Sequence, residues 1–311
     1  MRTTRREEAG TESALAFPVL IRLRDMLKDF GSRVLEHGSP GHDEHRSLVE
    51  TVKETTGART RHVVLVHGAS HGAWCWYKVV TLLLRKGYKV AAIDLTAMGR
   101  NRAVADSVSS IEEFAKPLLD YLESVTEQVL LVGHSLGGIT ISYAMEQYPE
   151  KIAKAVFVVA RMLLNNQSFL SSLPPNTPAR LPPGSKKLAY ANGRSAPPTS
   201  VEFNLKQAVD FLYSESPEED IQLALSLLSP QPYVVYRETV TLTPERYGRV
   251  PRFYIKTSRD RLAPPSDQQV SIDRNPPTMV FTVDSDHSPF FSTPSELTTL
   301  LEEICKMTIE R

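Results

Sequence analysis

Gly133-His134-Ser135-Leu136-Gly137 stands between an apolar run and a helix-forming run. In a strand-to-helix context, G-x-S-x-G places the serine on a sharp turn with its hydroxyl clear of the sheet edge, where it can attack a carbonyl carbon. The flanking residues must be small, because a Cβ two residues away would collide with the tight backbone. A serine hydroxyl is a weak nucleophile at neutral pH and needs a base, which is in turn oriented by a third group. For a serine on such a turn the chain order is serine, acid, histidine. Of the eight histidines only His287 follows Ser135, on the loop after TMVFTVD, and it is the expected general base. Asp260 directly follows RFYIKTS and is the expected orienting acid. Asp284 and Asp286 lie too near His287 on its own loop, and Asp210 and Asp220 fall in a segment read below as a cap. A developing oxyanion needs two fixed donors, assigned to the backbone N–H groups of Leu136, after the nucleophile, and Ala69, in His67-Gly68-Ala69. Gly68 is read as allowing a close turn there; His71 and Trp74 follow on the same loop, where lining a pocket and packing fit equally well.

These residues need a scaffold that delivers several loops to one edge. HVVLVH, beginning at His62, is the short, β-branched run of a central parallel strand. Helical and strand patterns then alternate: a helix around Trp76 to Leu84, KVAAIDL, IEEFAKPLLDYLESV, QVLLVG, LGGITISYAMEQY and AVFVVA. This alternation predicts right-handed crossovers and a mostly parallel sheet with helices on both faces, an α/β architecture of the α/β-hydrolase kind. The rhythm stops over residues 161–250, where proline-rich text carries short helical pieces, FNLKQAVDFLY and EEDIQLALSLL, and a helical cap over the active edge is expected. It resumes with RFYIKTS, a helix near Ser266 to Ile272, TMVFTVD and SELTTLLEEICKM. The domain expected is 61–311, preceded by an extension over 1–60 with one amphipathic helix, its apolar face made by Leu20, Leu23, Leu27, Phe30 and Val34, and a polar linker.

Composition narrows the partners. Thirty-six basic residues balance thirty-six acidic ones, so no long-range field favours nucleic acid or an anionic membrane over a neutral small molecule. Two cysteines, Cys75 and Cys305, far apart in sequence, form no metal or redox motif and suit a reducing intracellular setting as ordinary core residues. No apolar run is long enough to span a membrane, and no signal-peptide core follows the N-terminus. The expected location is cytoplasmic, with plastid import kept open by an Arg- and Thr-rich start that also carries Glu7, Glu8 and Glu12.

HVVLVHGASHGAWCWYKVV, AAIDLTAMG, VGHSLGGITISYAME and DHSPFFSTP strongly resemble the plant methylesterase family over residues 62–305. YANGRSAPPT, RYGRVPRFYIKT and DHSPFFS resemble its branch with N-terminal extensions, some of them plastid-directed. The resemblance implies hydrolysis of methyl esters of small acids, such as methyl indole-acetate, methyl jasmonate or methyl salicylate, with no metal or cofactor. It carries over to Ser135, Asp260, His287, Ala69 and Leu136. The expected partner is a small-molecule methyl ester, with a homodimer compatible. The sequence departs from the family pattern at Ser288, where many members have Met, at LTAMG, where LAASG is common, and at Arg161, where a nonpolar residue is usual. A buried arginine there could bind a substrate carboxylate or pair within the cap. Two other functions stay open: a slow-turnover receptor on the same fold, and a related hydroxynitrile lyase, against which Gly68 and Ser288 stand in place of the lyases' Thr and Lys.

Overall fold

In the computed structural model, residues 60–173 and 182–309 are described; the helix expected over Leu20 to Val34 and its linker lie outside them. The element order is β1 (His62–Val66), α1 (Tyr77–Arg85), β2 (Lys89–Ile93), α2 (Ile111–Ser124), β3 (Val129–His134), α3 (Gly137–Gln147) and β4 (Ile152–Val158). A segment follows with α4 (Phe169–Ser172), β5 (Lys186–Ala189), β6 (Ser200–Phe203), α5 (Leu205–Leu212), α6 (Glu218–Leu227), β7 (Gln231–Pro232) and α7 (Val234–Arg237). The chain returns through β8 (Arg252–Thr257), α8 (Pro265–Arg274), β9 (Met279–Val283), α9 (Pro289–Ser292) and α10 (Pro294–Lys306).

Six strands form one parallel sheet in the order β2-β1-β3-β4-β8-β9. β1 has no polar face because both its faces are covered. Val64 and Val66 pack with Phe114, Leu118 and Leu122 of α2 and with Ile141 and Met145 of α3. Val63 and Leu65 pack with Val79 and Leu83 of α1 and with Leu297, Leu301 and Ile304 of α10. Burying each such aliphatic or aromatic side chain contributes roughly 1.5–3 kcal/mol. Cys75 and Cys305 are free, buried members of the second cluster. Helix ends are satisfied locally: Ser110 caps α2 by accepting from the Glu113 N–H at 3.0 Å. At the far end of α10, buried Lys154 of β4 donates to the carbonyls of Ile304 at 2.7 Å and Met307 at 2.5 Å. No helix among the described residues is long and apolar enough to cross a membrane.

The segment between β4 and β8 contains more than the helices expected. It also holds a three-stranded antiparallel sheet, β5-β6-β7. These strands are two to four residues long, and β5 is mostly exposed, so neither length nor apolar alternation marked them. The turn residues Tyr190 to Thr199, with Gly193 at φ +88°, join β5 to β6.

Polar latches tie this cap to the loops of the main sheet. Ser70 donates its N–H to Gln231 Oε1 at 3.1 Å, and Asp286 accepts from the Glu215 N–H at 2.9 Å and the Ser216 hydroxyl at 2.8 Å. Tyr77 and Lys78 of α1 hold Asp220 of α6. His71 donates from Nδ1 to the Ala69 carbonyl at 2.7 Å, and its Nε2 accepts from the Tyr213 hydroxyl at 2.8 Å. That pattern needs a neutral ring, and burial pushes His71 from its ordinary 6.5 down to about 3.

Two outcomes follow from these contacts. Lys154→Met leaves the α10 carbonyls without their charged donor and should lower the unfolding free energy by about 2 kcal/mol, read from urea denaturation. The unfolded chain accepts a proton on His71 below its ordinary pKa while the folded state refuses it. Stability present above pH 6.5 is therefore lost progressively as pH falls toward 3. Urea melts across that window should show the decline, and His71→Gln should flatten part of the slope.

Candidate active site

β3 is fully buried, and its last residues lead into α3 through one residue with a left-handed backbone: Ser135, at φ +52°. A non-glycine residue there is strained and persists only when its surroundings over-determine it. The surroundings here are hydrogen bonds on both sides. The Ser135 N–H donates to the Val158 carbonyl at 3.1 Å, and the Ser135 carbonyl accepts from Gly138 at 3.1 Å and Arg161 at 3.4 Å.

The glycines around it are needed for close approach between segments. A Cβ on Gly137 would sit 2.5 Å from the His67 carbonyl oxygen, so the constraint comes from the loop after β1 and not only from the turn itself. A Cβ on Gly68 would lie 2.7 Å from His134 Nδ1 and 3.0 Å from the Ser135 Cβ. Gly68 was expected to permit a turn, but the left-handed residue of that loop is Ser70, at φ +62°. Gly68 instead lets the loop press against the serine.

Ser135, His287 and Asp260 meet although they are separated by up to 152 positions in sequence. The Ser135 hydroxyl lies 2.9 Å from His287 Nε2, and His287 Nδ1 donates to Asp260 Oδ2 at 2.7 Å. Asp260 is buried and fully engaged: Oδ2 also accepts from the Thr257 hydroxyl at 3.0 Å, and Oδ1 from the amides of Leu262 at 2.8 Å and Ala263 at 2.7 Å. These bonds fix the carboxylate, and the carboxylate fixes the imidazole so that Nε2 is the free acceptor facing the hydroxyl. Ala69 and Leu136 line the same cleft as Ser135, and the backbone N–H of neither donates to a loop or turn carbonyl among the described residues.

His134 is a participant that the sequence did not single out beyond its place in the motif. Its Nε2 donates to the His287 carbonyl at 2.7 Å, and its ring stands 4.9 Å from the His287 ring. Burial holds His134 well below the usual imidazole range, and His67 is lowered for the same reason. The rings surrounding His287 are therefore neutral. The only advance signal was His134's place between Gly133 and Ser135, which says nothing of the partner 153 residues away.

A cleft of about 80 Å³ opens over Ser135 and His287, with walls from Ala69, Leu136, Phe169, Phe203, Tyr236 and Leu262. Arg161 borders it, as does Lys186, which the sequence reading did not select. The other pocket candidates lie elsewhere. His71 is buried behind the site, stacked on Trp74 at 5.3 Å and linked to Tyr213, and Gly68 is covered by the serine turn. Trp74 faces a larger cavity of about 440 Å³ along α1 and β2, which does not include Ser135. The smaller cleft holds the reactive groups, so it is the one that matters for chemistry. Among the described residues no group of three or more His, Cys, Asp or Glu side chains converges as a metal-ligand set.

The sequence profile of the alpha/beta hydrolase family matches residues 63–299. Methyl jasmonate esterase 1 of Vitis vinifera is 42% identical over 256 residues, covering 79% of this chain and 97% of the relative. An Arabidopsis thaliana chain named as a chloroplastic methylesterase 13 is 42% identical over 264 residues, covering 84% of this chain and 60% of its own. The chain thus spans about 60% of the length of that relative and of its companion methylesterase 15. The crystal structure of the Arabidopsis methylesterase protein MES16 superposes with a TM-score of 0.70 at 34% identity, covering 78% of this chain and 98% of that one. Tomato methylketone synthase I complexed with 2-tridecanone gives 0.72 at 36% identity, covering 79% and 97%. A strand-turn-helix serine on a six-stranded parallel sheet, a family profile over most of the domain and relatives matched over nearly their whole length lead to one assignment: this chain belongs to the alpha/beta hydrolase family and, within it, to the plant methylesterases.

Proposed function

We propose that this protein hydrolyses methyl esters of small carboxylic acids through an acyl-enzyme on Ser135. The observation that carries the reading is the hydrogen-bonded line from the strained Ser135 hydroxyl through His287 to Asp260, at 2.9 and 2.7 Å, beside a cleft with apolar walls. His287 takes the Ser135 proton as the hydroxyl oxygen bonds to the ester carbonyl carbon. The resulting oxyanion is stabilised by the Ala69 and Leu136 amides. His287 then gives the proton to the departing methoxide, which leaves as methanol. A water molecule, deprotonated by His287, attacks the acyl-enzyme, and the proton returns to Ser135 as the acid is released. Asp260 stabilises the imidazolium that forms in each half.

The apolar cleft walls and the name of the grapevine methyl jasmonate esterase support an acyl group of low polarity around the reacting carbonyl. The relatives' chloroplast names support plastid import directed by the residues before the domain. Ser288, after His287, is buried and is not part of the cleft wall, so the position directly after the base carries no lysine of the kind the related lyases have there.

The test is methanol release from a panel of aryl, indolyl and oxylipin methyl esters. Ser135→Ala should lower kcat by about four orders of magnitude or more while ligand still binds; near-full activity in that variant would refute the mechanism. Asp260→Asn keeps the shape of the site but mis-sets the His287 tautomer, so kcat should fall by about three to four orders of magnitude. A change in KM alone would show that Asp260 does not act through the imidazole.

A further inference from the structure

The charged residues bordering the Ser135 cleft are both cations, Arg161 and Lys186. Arg161 is held in place by the nucleophile turn: its N–H donates to the Ser135 carbonyl at 3.4 Å, and a Cβ on Gly138 would meet its carbonyl at 2.5 Å. Its guanidinium forms no ion pair among the described residues. Asp260 and Asp267 attract it from beyond ion-pair distance, Arg274 opposes them, and desolvation is the leading influence, lowering its proton affinity. Lys186 enters from β5 of the cap. Its ammonium lies 5.2 Å from the Phe203 ring centre and 5.5 Å from the Tyr236 ring centre, both rings being cleft walls. Lys186 is exposed at the border of the cleft, and the neighbouring protein still desolvates its ammonium enough to lower its proton affinity, with no charged neighbour among the causes.

The third member is Tyr236. It is 4% exposed, it borders the cleft, and its hydroxyl has no hydrogen-bond partner among the described residues. Burial raises its pKa, so it remains a donor. A buried hydroxyl without a partner leaves its desolvation cost unrecovered, and neither the half-buried Arg161 nor the exposed Lys186 has an ion-pair partner among the described residues. Three donors with no hydrogen-bond acceptor for their side chains among the described residues therefore border one apolar cleft beside the nucleophile. An anion on the ligand would satisfy all three, and a neutral acyl chain would leave them unpaired.

Building on the esterase reading, we propose that Arg161, Lys186 and Tyr236 form a carboxylate-binding subsite, and that the preferred substrate is a methyl ester whose acyl part carries a second, free carboxylate. The half-ester of a dicarboxylic acid is the simplest member of this class. The second carboxylate takes no part in bond making: Ser135 cleaves the methyl ester, methanol leaves, and the dicarboxylate is released. Arg161 offers planar paired donors to a carboxylate, while Lys186 adds a point charge and Tyr236 a neutral donor.

The experiment uses the full chain. kcat/KM is measured for the monomethyl esters of succinate, glutarate, adipate, pimelate and suberate, each against the methyl ester of the monocarboxylic acid of equal length. At one or more lengths the wild type should favour the half-ester by about tenfold or more. That ratio should fall by about tenfold in Arg161→Gln and in Lys186→Gln, fall less in Tyr236→Phe and in Arg161→Lys, which keeps the charge but not the paired planar donors, and be largely kept in Lys186→Arg. A wild-type ratio at or below one at every length, or a ratio unchanged in both glutamine variants, overturns the proposal. Calorimetry of the best half-ester on Ser135→Ala, with and without Lys186→Gln, reads the subsite independently of turnover, and a Kd raised about tenfold by the second change is expected. Turnover of the neutral esters with no such change in Kd sinks the subsite and spares the esterase; the Kd change with no ester turned over sinks the esterase and spares the subsite. Thermal melts of every variant exclude loss of folding as the cause.

Discussion

Two segments of backbone approach each other more closely than any side chain would allow, and the site depends on that approach. The loop after β1 lies against the turn after β3, with His67 at Gly137 and Gly68 at His134 and Ser135. Glycine at both places removes the atoms that would hold the segments apart. The approach sets Ala69 beside the same cleft as Ser135 and Leu136. Ser135 pays for its exposed position with a left-handed backbone, and the Val158, Gly138 and Arg161 hydrogen bonds hold it there.

Around this contact the buried polar groups are arranged so that only one imidazole is free to exchange a proton with the serine. His67, His71 and His134 are buried, and each uses at least one ring nitrogen in a bond to main chain. Desolvation keeps them neutral, so they add shape and hydrogen bonds near His287 without adding positive charge. His134 holds the His287 carbonyl while Asp260 holds its ring. The loop bearing His287 is fixed again through Asp286, which binds the Ser288 amide and the Ser292 hydroxyl on one oxygen and the cap on the other. A carboxylate next to the base in sequence thus positions the loop and the cap, while the one that orients the ring comes from a different strand end.

The cap is where the chain's particular chemistry resides. The parallel sheet brings Ser135, His287 and Asp260 to one edge, and a fold by itself does not choose among the reactions such an edge can serve. Arg161 follows β4, and Lys186 and Tyr236 come from β5 and α7. They convert an apolar cleft into one with a cationic, donor-rich border. The larger cavity along α1 and β2 is lined by Asp94, Arg100 and Arg85, of which Asp94 and Arg100 pair at 3.6 Å.

Much of this was legible in the residues. The β1 and β3 runs are continuous and apolar, and β4 is so apart from Lys154, because both faces of a central parallel strand are covered, so pattern and length located them along with the helices between them. G-x-S-x-G in that setting marked Ser135, and the order of elements left one histidine and one well-placed aspartate to accompany it. The cap sheet was not legible, because strands of two to four residues with exposed faces carry no periodic signal. Nor was the work of His134, Asp286, Lys186 and Tyr236: His134 meets His287 153 positions away, Asp286 meets Glu215 71 positions away, and Lys186 meets Tyr236 50 positions away. Local sequence by itself determined which segments become strands and helices and which side chains can do chemistry, since propensity, periodicity and turn sterics act over a few residues. Only the tertiary structure decided which of those side chains meet, which donors are left without acceptors and how closely two glycines let main chains approach, because distance in space is set by packing and not by spacing along the chain.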